Sequence, residues 1–229
     1  MIGIIGAMDI EIATLKENMT EISVCEMAGM SFYKGKLCGR EVVVVQCGVG
    51  KVNAAICTQM LCCCFHVSCV VNTGVAGSLS NELDIGDFVI SADAIHHDMN
   101  CLSLNYPVGQ VPGLTVRCFA ADEALIHHAY SAAEEVNPGH TKIGRVASGD
   151  QFVCHKEQKE KIISETGGIC AEMEGAAIAH TAYRNQIPFV IIRAISDKAD
   201  DSAQMDYPTF EKIAAKRCAQ VTMGMLKKI

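Results

Sequence analysis

The chain has 229 residues, of which 50% are hydrophobic and 20% are charged, and its formal net charge is −7. This length and apolar content suit one large α/β domain with a sizeable core, and the dispersed acidic charge excludes the basic stripe of a nucleic-acid-binding protein. No apolar run reaches the roughly 18 residues of a membrane span, and the N-terminal MIGIIGAMDIE has no basic leader, so we expect neither a membrane protein nor a signal peptide.

Short apolar runs rich in β-formers alternate with longer helical patterns. Runs such as VVVVQ, SCVVN and FVIIRAI are apolar on both faces, which indicates a sheet covered by helices on both sides. The alternation predicts one domain over residues 1–229, a three-layer α/β/α fold with a central mixed, largely parallel sheet. The predicted elements, in chain order, are strand Ile2–Ile5, helix Asp9–Asn18, strand Glu41–Gln46, helix Lys51–Phe65, strand Ser68–Asn72, strand Phe88–Ala94, helix Asp122–Val136, strand Lys142–Ala147, helix His155–Thr166, strand Ile169–Glu172, helix Gly175–Asn185, strand Pro188–Ile195 and helix Pro208–Leu226.

Acidic residues follow several of the predicted strands. Glu11 lies one turn into the first helix, Glu172 and Glu174 lie where a strand turns into a helix, and Asp197 follows the last strand. Each has a structural interpretation, such as a partner of the helix dipole for Glu11 or a turn cap for Asp197. Ligands of such folds bind beyond the carboxyl ends of strands. Because four acids grouped there repel one another, we expect chemistry that uses one as an acid and another as a base.

Other motifs at these strand ends have weaker functional interpretations. CGVGK is not a phosphate loop, because Val45 and Val52 stand where that motif needs Gly and Ser or Thr, and GIIGAM is not a dinucleotide fingerprint. NTGVAGSL fits tight turns as well as a close approach of backbone to a ligand. We interpret Lys51 as a solvated or helix-start residue and Cys47 as a packed thiol.

No pattern predicts a metal site or a disulfide framework. The 13 cysteines have no CxxC spacing, which favours small buried hydrophobes in a reducing cytosol. His96 and His97 are adjacent, and adjacent side chains on a strand point to opposite faces, which disfavours a shared ion. We therefore expect a cytoplasmic protein that needs no metal and no other cofactor.

Six segments together resemble one family. IGIIGAMDIEI, CGVGKVNAA, NTGVAGSL, SGDQF, AEMEGAAIAH and IIRAISDKAD resemble, in this order and at this spacing, the 5′-methylthioadenosine/S-adenosylhomocysteine nucleosidases of the nucleoside phosphorylase-like superfamily. The resemblance covers nearly the whole chain. It implies hydrolysis of the N-ribosidic bond of both nucleosides to adenine and a thioribose product, without a cofactor, in methionine salvage and in recycling of S-adenosylmethionine by-products.

The resemblance also implies roles for individual residues. Glu11 matches the acid that activates the attacking water, and Asp197 matches the acid that protonates N7 of adenine. Glu174 matches the carboxylate that holds the ribose hydroxyls. The other implied contacts are adenine stacking by Phe152, recognition of the adenine edge by the Val153 backbone, packing under the sugar by Met173, close approach to the substrate by Gly77, a substrate contact by Ser196, and an apolar 5′-thio pocket of Val49, Leu104, Tyr106 and Tyr207 with Pro112 in the same region.

The choice between water and phosphate as nucleophile depends on positive charge. Many related phosphorylases have an arginine where Asn72 stands here, and no nearby turn supplies a substitute, so we expect water. We interpret Arg193 as pairing with neighbouring acids, Glu172 among them. Two alternatives stay open: a purine nucleoside phosphorylase, and a nucleoside-binding protein without catalysis.

The family resemblance further implies a homodimer in which the neighbouring subunit completes the 5′-thio pocket. Three residues near that pocket depart from the family pattern: Val75 stands where some members have serine, Leu104 replaces an aromatic residue, and Cys101 replaces a branched aliphatic one. These departures leave the order of preference among the thio-nucleosides, 5′-deoxyadenosine and 6-amino-6-deoxyfutalosine open. The last of these is cleaved by some relatives in a menaquinone route.

Overall fold

The alternating apolar runs form the strands of one mixed sheet in the computed structural model, which describes residues 1–229. Every predicted helix and strand is present. The strands are β1 (Ile2–Gly6), β2 (Thr20–Met27), β3 (Met30–Leu37), β4 (Arg40–Gln46), β5 (Cys69–Ser78), β6 (Phe88–His96), β7 (Phe119–Ala120), β8 (Thr141–Ser148), β9 (Cys170–Glu172) and β10 (Phe189–Asp197). The helices are α1 (Asp9–Glu17), α2 (Lys51–Cys64), α3 (Glu123–Val136), α4 (Lys156–Thr166), α5 (Gly175–Asn185) and α6 (Ala203–Leu226), with a short 3-10 helix at Leu102–Leu104.

The strand order is β10-β6-β8-β9-β5-β1-β4-β3-β2, with β7 paired to β6. Strand β10 also pairs with β5, so β5, β10, β6, β8 and β9 close into a ring. The pairs β1–β4, β1–β5, β5–β10, β6–β8 and β8–β9 are parallel, and the remaining pairs are antiparallel. The mixed sheet of the predicted fold is confirmed. Since β1, β5 and β10 are parallel neighbours, their carboxyl ends lie at one edge.

The two faces of the sheet carry separate cores. In β4, Val42 and Val44 pack into a cluster with residues of α1, α3 and α6, whereas Val43 and Val45 pack into a cluster with residues of α2 and α5. This alternation follows from the two-residue period of a strand. The predicted three-layer arrangement, with helices on both sides of the sheet, is therefore confirmed.

Strands β2 and β3 form a hairpin that the sequence did not predict. Most of β2 is exposed to solvent, including Ile22 and Val24. Its side chains therefore have no buried face, and its short alternation of Ile22 and Val24 with polar residues lacks the continuous apolar run of the predicted strands. The hairpin extends the sheet beyond β4, away from the carboxyl ends of β5, β9 and β10.

Helix α6 begins at Ala203 and not at the predicted Pro208, which lies inside the helix. Proline favours the first helical turn because it lacks an N–H, and this preference led to the wrong start. The earlier start matters because Tyr207 then lies on a helix and not on a loop. Neither α6 nor any other helix combines the length and the apolar composition needed to cross a membrane.

Candidate active site

A cavity that opens to solvent lies at the carboxyl ends of β1, β5, β9 and β10, with about 520 Å³ of empty space when its solvent-filled mouth is included. Its wall is mostly apolar and carries four carboxyl side chains but no Lys, Arg or His side chain. The lining residues are Ala7, Met8, Glu11, Val49, Val75, Ala76, Gly77, Phe152, Ala171, Glu172, Met173, Glu174, Ser196, Asp197 and Tyr207. An apolar pocket with a few converging polar groups is the usual form of a small-molecule site.

Most of the site residues predicted from the sequence line this cavity. Val153 lies behind the lining, buried in a small core cluster with Ala171. Leu104, Tyr106 and Pro112 lie on the connection between β6 and β7 and do not line the cavity of the single chain, and Leu104 is 65% exposed. Nominated residues that line the cavity are Glu11, Val49, Gly77, Phe152, Met173, Glu174, Ser196, Asp197 and Tyr207.

Two glycines of β5 make room for the acids. A Cβ on Gly74 would overlap the Glu11 carboxyl, and a Cβ on Gly77 would lie only 2.7 Å from Asp197 Oδ1. Both glycines have ordinary strand conformations, because neither is among the residues with positive φ. The tight-turn interpretation of NTGVAGSL is therefore wrong, since the motif continues the strand and its glycines admit neighbouring side chains.

Glu11 is buried at the start of α1 and is held by backbone. Its Oε2 accepts from the N–H groups of Ala7 (2.7 Å) and Met8 (3.0 Å), and its Oε1 accepts from the N–H of Val75 (3.0 Å). Burial raises the pKa of Glu11, and Arg193 and these N–H groups oppose the rise. The carboxyl is thus fixed in direction and poised to take up a proton.

Asp197 ends β10 and is also buried. Its Oδ2 accepts from Ser196 Oγ (2.8 Å), and its Oδ1 accepts from the Ala199 N–H (2.8 Å). Burial raises the pKa of Asp197, against the effect of these two hydrogen bonds. A buried aspartic acid with a raised pKa is suited to donate a proton.

Glu174 lies between β9 and α5 and receives a single hydrogen bond, from the Gly50 N–H to Oε1 (2.8 Å). Burial, together with the neighbouring charge of Glu172, raises the pKa of Glu174 to about 8. The carboxyl therefore has free acceptor capacity, which the hydroxyl groups of a sugar would fill.

Replacing Glu174 by glutamine should stabilise the free protein increasingly as the pH rises. Because the folded-state pKa of about 8 lies above the ordinary glutamate value of 4.5, the stability that this group contributes is fully present below pH 4.5 and is lost as the pH rises through about 8. Glutamine does not ionise, so its contribution to stability does not change over this pH range. The free energy of unfolding of Glu174→Gln and of the wild-type protein is measured with denaturant at pH 5 and at pH 9. The difference between the two proteins should grow by at least about 1 kcal/mol from pH 5 to pH 9, whereas a constant difference would contradict this account.

Glu172 turns away from the cavity centre into a buried ion pair. It accepts from Arg193 Nη2 and Ser148 Oγ and from the N–H groups of Glu174 (3.1 Å) and Gly175 (2.8 Å to Oε2). Burial alone would raise the pKa of Glu172, but Arg193 and these donors hold it below its usual range. The predicted pairing of Glu172 with Arg193 is confirmed. Glu172 anchors the first residues of α5 and so places Glu174.

Sequence reasoning missed Gly50 and underestimated Lys51. Gly50 has a φ of +97°, so a glycine before the helix in CGVGK was the available signal. Lys51 does begin α2 as predicted, but it is not simply solvated, because its Nζ lies 2.6 Å from Asp98 Oδ1. Cys47 is buried, which raises its pKa and keeps it a thiol, as the packed-thiol interpretation predicted.

The sequence matches known proteins over its whole length. Residues 1–227 match the family model described as the phosphorylase superfamily. The chain is 40% identical over 230 residues to the 5′-methylthioadenosine/S-adenosylhomocysteine nucleosidase of Staphylococcus carnosus, with 100% of both chains covered. It is 41% identical over 229 residues to the nucleosidase of the same name from Oceanobacillus iheyensis, covering 100% of this chain and 99% of that one.

Solved structures agree with these matches. The nucleosidase from Neisseria meningitidis, solved in complex with methylthio-immucillin-A, superposes with a TM-score of 0.96 at 38% identity and covers 100% of this chain and 99% of its own. The futalosine hydrolase of Helicobacter pylori superposes with a TM-score of 0.94 at 33% identity and covers 100% of this chain and 97% of its own. The chain therefore belongs to the 5′-methylthioadenosine/S-adenosylhomocysteine nucleosidase family of the phosphorylase superfamily.

Proposed function

We propose that this chain, as a single nucleosidase domain over residues 1–229, hydrolyses the N-ribosidic bond of 5′-methylthioadenosine and S-adenosylhomocysteine and releases adenine. The observation that carries the proposal is the cavity itself, where Glu11, Glu174 and Asp197 face one space without a cationic side chain. The relatives that share the whole length of the chain carry this activity in their names.

The different surroundings of Asp197 and Glu11 suit these two acids to different steps of the reaction. Breaking an N-ribosidic bond passes through a sugar with oxocarbenium character, which nearby carboxylates stabilise. Asp197, with its raised pKa, would give a proton to N7 of adenine, and Glu11, held by three N–H groups, would take a proton from the attacking water. Protonation of the base weakens the bond to the sugar while the water attacks the other face.

The spacing of the two acids suits attack by water. Glu11 is bonded to Val75 of β5 and Asp197 lies against Gly77, with Gly74 closest to Glu11. These positions are two to three residues apart along the strand, so the two carboxyl groups contact different parts of β5. Carboxyl groups that are held apart leave room for an attacking water molecule, whereas pairs about 5 Å apart form a covalent intermediate.

The remaining lining residues suit a thio-nucleoside. Glu174 would accept hydrogen bonds from the ribose hydroxyls above Met173, and Phe152 would cover the adenine. The rings of Phe152 and Tyr207 pack edge to face, with their centroids 5.5 Å apart. Val49 lies on the same wall, so this part of the cavity is an apolar region for the 5′-thio group. The adenine-edge contact of the Val153 backbone and the contact of Ser196 belong to the same proposal.

Phosphate has no evident partner in this cavity. The Asn72 side chain is occupied, because Nδ2 donates to the Ile5 carbonyl (3.0 Å) and Oδ1 accepts from Arg193 Nη2 (2.5 Å). Arg193 itself is buried and paired with Glu172. A dianion in the cavity would meet carboxylates without a compensating cation, which favours hydrolysis over phosphorolysis.

The direct test is to incubate the purified protein with methylthioadenosine in phosphate-free buffer and to measure adenine. We expect adenine and free methylthioribose at a rate that added phosphate does not change. Adenine that appears only with phosphate, together with a ribose 1-phosphate product, would replace the proposal by a purine nucleoside phosphorylase. Measurable binding of the nucleoside without turnover would replace it by a binding protein.

The substrate range is open within the proposal. Futalosine hydrolase of Helicobacter pylori has the same fold at 33% identity, so cleavage of aminodeoxyfutalosine deserves the same assay. A panel of kcat/KM values for methylthioadenosine, S-adenosylhomocysteine, 5′-deoxyadenosine and aminodeoxyfutalosine ranks the four. The highest value for methylthioadenosine or S-adenosylhomocysteine supports the proposal, and a preference for aminodeoxyfutalosine would reassign the main activity.

We also propose a homodimer whose neighbouring subunit completes the 5′-thio region. Apolar side chains are exposed beside the cavity wall, on the turn before α2 and along that helix, at Val49, Val52 and Ile56. Leu102 and Leu104 are exposed on the connection between β6 and β7. A face of this kind marks an interaction surface, and Tyr106 and Pro112 lie on the same connection.

Replacing Val52 by glutamate should weaken the dimer and lower kcat/KM. Val52 is 70% exposed in the single chain, so the change costs little in the monomer but buries a charge in the dimer. Light scattering measures the mass at several concentrations. The matched control is Ile213→Glu on α6, which is 60% exposed and lies outside the α2 face. A wild-type protein that is monomeric and fully active would contradict the dimer proposal.

A cytoplasmic location is part of the proposal. All 13 cysteines of the chain are free thiols in the structure, a state that a reducing compartment maintains. Cell fractionation that found the native protein outside the cytoplasm would contradict it.

A further inference from the structure

Three chain segments meet at the rim of the cavity and are tied together by Lys51, Asp98 and Asp150, here called the rim network. Lys51 Nζ donates to Asp98 Oδ1 (2.6 Å), and the Lys51 N–H donates to Asp150 Oδ1 (2.8 Å). Asp98 Oδ2 in turn accepts from the Asp150 N–H (3.0 Å). The three contacts close a ring between the start of α2, the end of β6 and the turn after β8.

Two of the three charged side chains in the rim network, Lys51 and Asp98, are partly shielded from water, whereas Asp150 is exposed. The side chains of Lys51 and Asp98 are only 20% and 17% exposed, whereas in the surface pair Lys142–Glu82 they are 42% and 75% exposed. Burial alone would raise the pKa of Asp98, but its hydrogen bonds with Lys51 and Asp150 hold the pKa below its usual range. The rim network therefore combines an ion pair with hydrogen bonds that fix backbone positions, since two of its three donors are backbone N–H groups.

Gly50 connects the ring to the cavity. The residue directly precedes Lys51, and its N–H gives Glu174 the only hydrogen bond that this carboxyl receives from the chain. Gly50 has no side chain to anchor it and adopts a φ of +97°, and a Cβ at this position would lie 3.1 Å from Asp150 Oδ1. The direction of its N–H is therefore set by neighbours: Asn53 Nδ2 donates to the Val49 carbonyl of the same peptide unit (2.7 Å), and Lys51, held by Asp150 and Asp98, fixes the next unit.

We propose that the rim network is a positioning device for the ribose-binding carboxylate, with Lys51 as a positioning residue that acts through Gly50 on Glu174. The inference rests on the proposed function, in which Glu174 holds the ribose hydroxyls. The same network places the two flanks of the cavity, since Val49 directly precedes Gly50 and Phe152 lies two residues after Asp150. An ordinary surface ion pair would have no such connection to the substrate.

The test combines a protein change with a substrate change. In Lys51→Met the stem and the Lys51 N–H bond to Asp150 are kept, but the ion pair with Asp98 is lost, so the segment that carries the Gly50 N–H is held less firmly. We expect kcat/KM for methylthioadenosine to fall by about tenfold or more, and kcat/KM for its 3′-deoxy analogue to fall by less, because one of the hydroxyls gripped by Glu174 is already missing. Lys51→Arg should restore most of the loss, since the pair with Asp98 can re-form.

The matched control is Asp93→Asn, which breaks the comparably shielded pair of Arg145 and Asp93 between β6 and β8, outside the cavity. It should lower kcat/KM for both substrates by the same small factor. Equal losses for both substrates in Lys51→Met, or a loss no larger than that of Asp93→Asn, would overturn the proposal. If Lys51→Met does not fold, Asp98→Asn removes the same charge pair. Its loss of kcat/KM for methylthioadenosine is then compared with its loss for the 3′-deoxy analogue. Absence of adenine release by the wild-type protein would instead refute the proposed function.

Discussion

Replacing Asp197 by asparagine is expected to lower kcat for methylthioadenosine by about 10²–10⁴-fold while the fold is retained. Asparagine has the same shape, and its carbonyl oxygen can still accept from the Ala199 N–H that now binds Oδ1. It has no acidic proton to give to N7 of adenine. The effect should therefore fall on turnover, with unfolding and substrate binding changed little.

Asp200→Asn provides the matched control for this prediction. Asp200 lies three positions further along the chain, bonds to Ser202 and does not line the cavity, so its replacement removes the same charge without touching the chemistry. The 7-deaza analogue of methylthioadenosine, which has carbon in place of N7, provides a second check. It should be cleaved poorly by the wild-type protein, with no further loss in Asp197→Asn. Near-normal turnover of methylthioadenosine by Asp197→Asn would remove Asp197 from the mechanism.

The pH profile follows from the direction of the pKa shift. Burial raises the pKa of Asp197 above its ordinary value, so the protonated donor persists to higher pH than in an exposed aspartate. The rate should fall as the pH rises through that pKa, because the donor is then ionised. This basic limb of the profile is expected to be absent in Asp197→Asn, which has no titrating group at that position.

The predictable parts of the fold are those with a strong periodic signal. The buried parallel strands β1, β4, β5 and β10 read as continuous apolar runs, because both of their faces are covered by helices. The hairpin β2–β3 was missed because β2 has no buried face to give such a run. Strand β5 was predicted too short, because its glycines favour a turn locally and only the three-dimensional position of Glu11 and Asp197 explains them.

Some features of the site were likewise predictable from the sequence and others were not. The acids at the strand ends were visible in the sequence, since their positions follow from the strand boundaries alone. Contacts between distant segments were not visible, such as the Gly50 N–H on Glu174, which joins residues 124 positions apart. The pairing of Arg193 with Glu172 was predictable because alternation along β9 turns Glu172 away from the cavity and Arg193 is the nearest cation in sequence to the site; β9 and β10 both pair with β5. The contact of Lys51 with Asp98 had no such signal, because both residues lie on loops or helix ends.

The second large effect is expected at Glu11. Glu11→Gln should lower kcat by about 10²–10⁴-fold, because the amide cannot take a proton from the attacking water. The side chain keeps its length, and its carbonyl oxygen can still accept from the Ala7 and Met8 N–H groups. The amide nitrogen then faces the Val75 N–H, which loses its acceptor, so a modest loss of stability accompanies the change.

Substrate affinity should be affected less than the rate, because the water is activated only in the chemical step. Binding of a non-hydrolysable nucleoside, measured by calorimetry, separates the two quantities. Glu17→Gln is the matched control, since Glu17 lies exposed on the same helix and its replacement makes the same chemical change outside the cavity. A collapse of affinity with a persisting rate would assign Glu11 to substrate binding.

The acidic side of the pH profile distinguishes a base from a merely structural carboxylate. Burial raises the pKa of Glu11 above its ordinary value, so this carboxyl is protonated, and inactive as a base, at higher pH than an exposed glutamate. In the wild-type protein kcat should fall as the pH is lowered through that pKa. In Glu11→Gln this limb should disappear, because no group at that position titrates, and the low residual rate should become independent of acid. A structural carboxylate would lower the rate at every pH and leave the acidic limb in place, so persistence of the limb in Glu11→Gln would exclude Glu11 as the base.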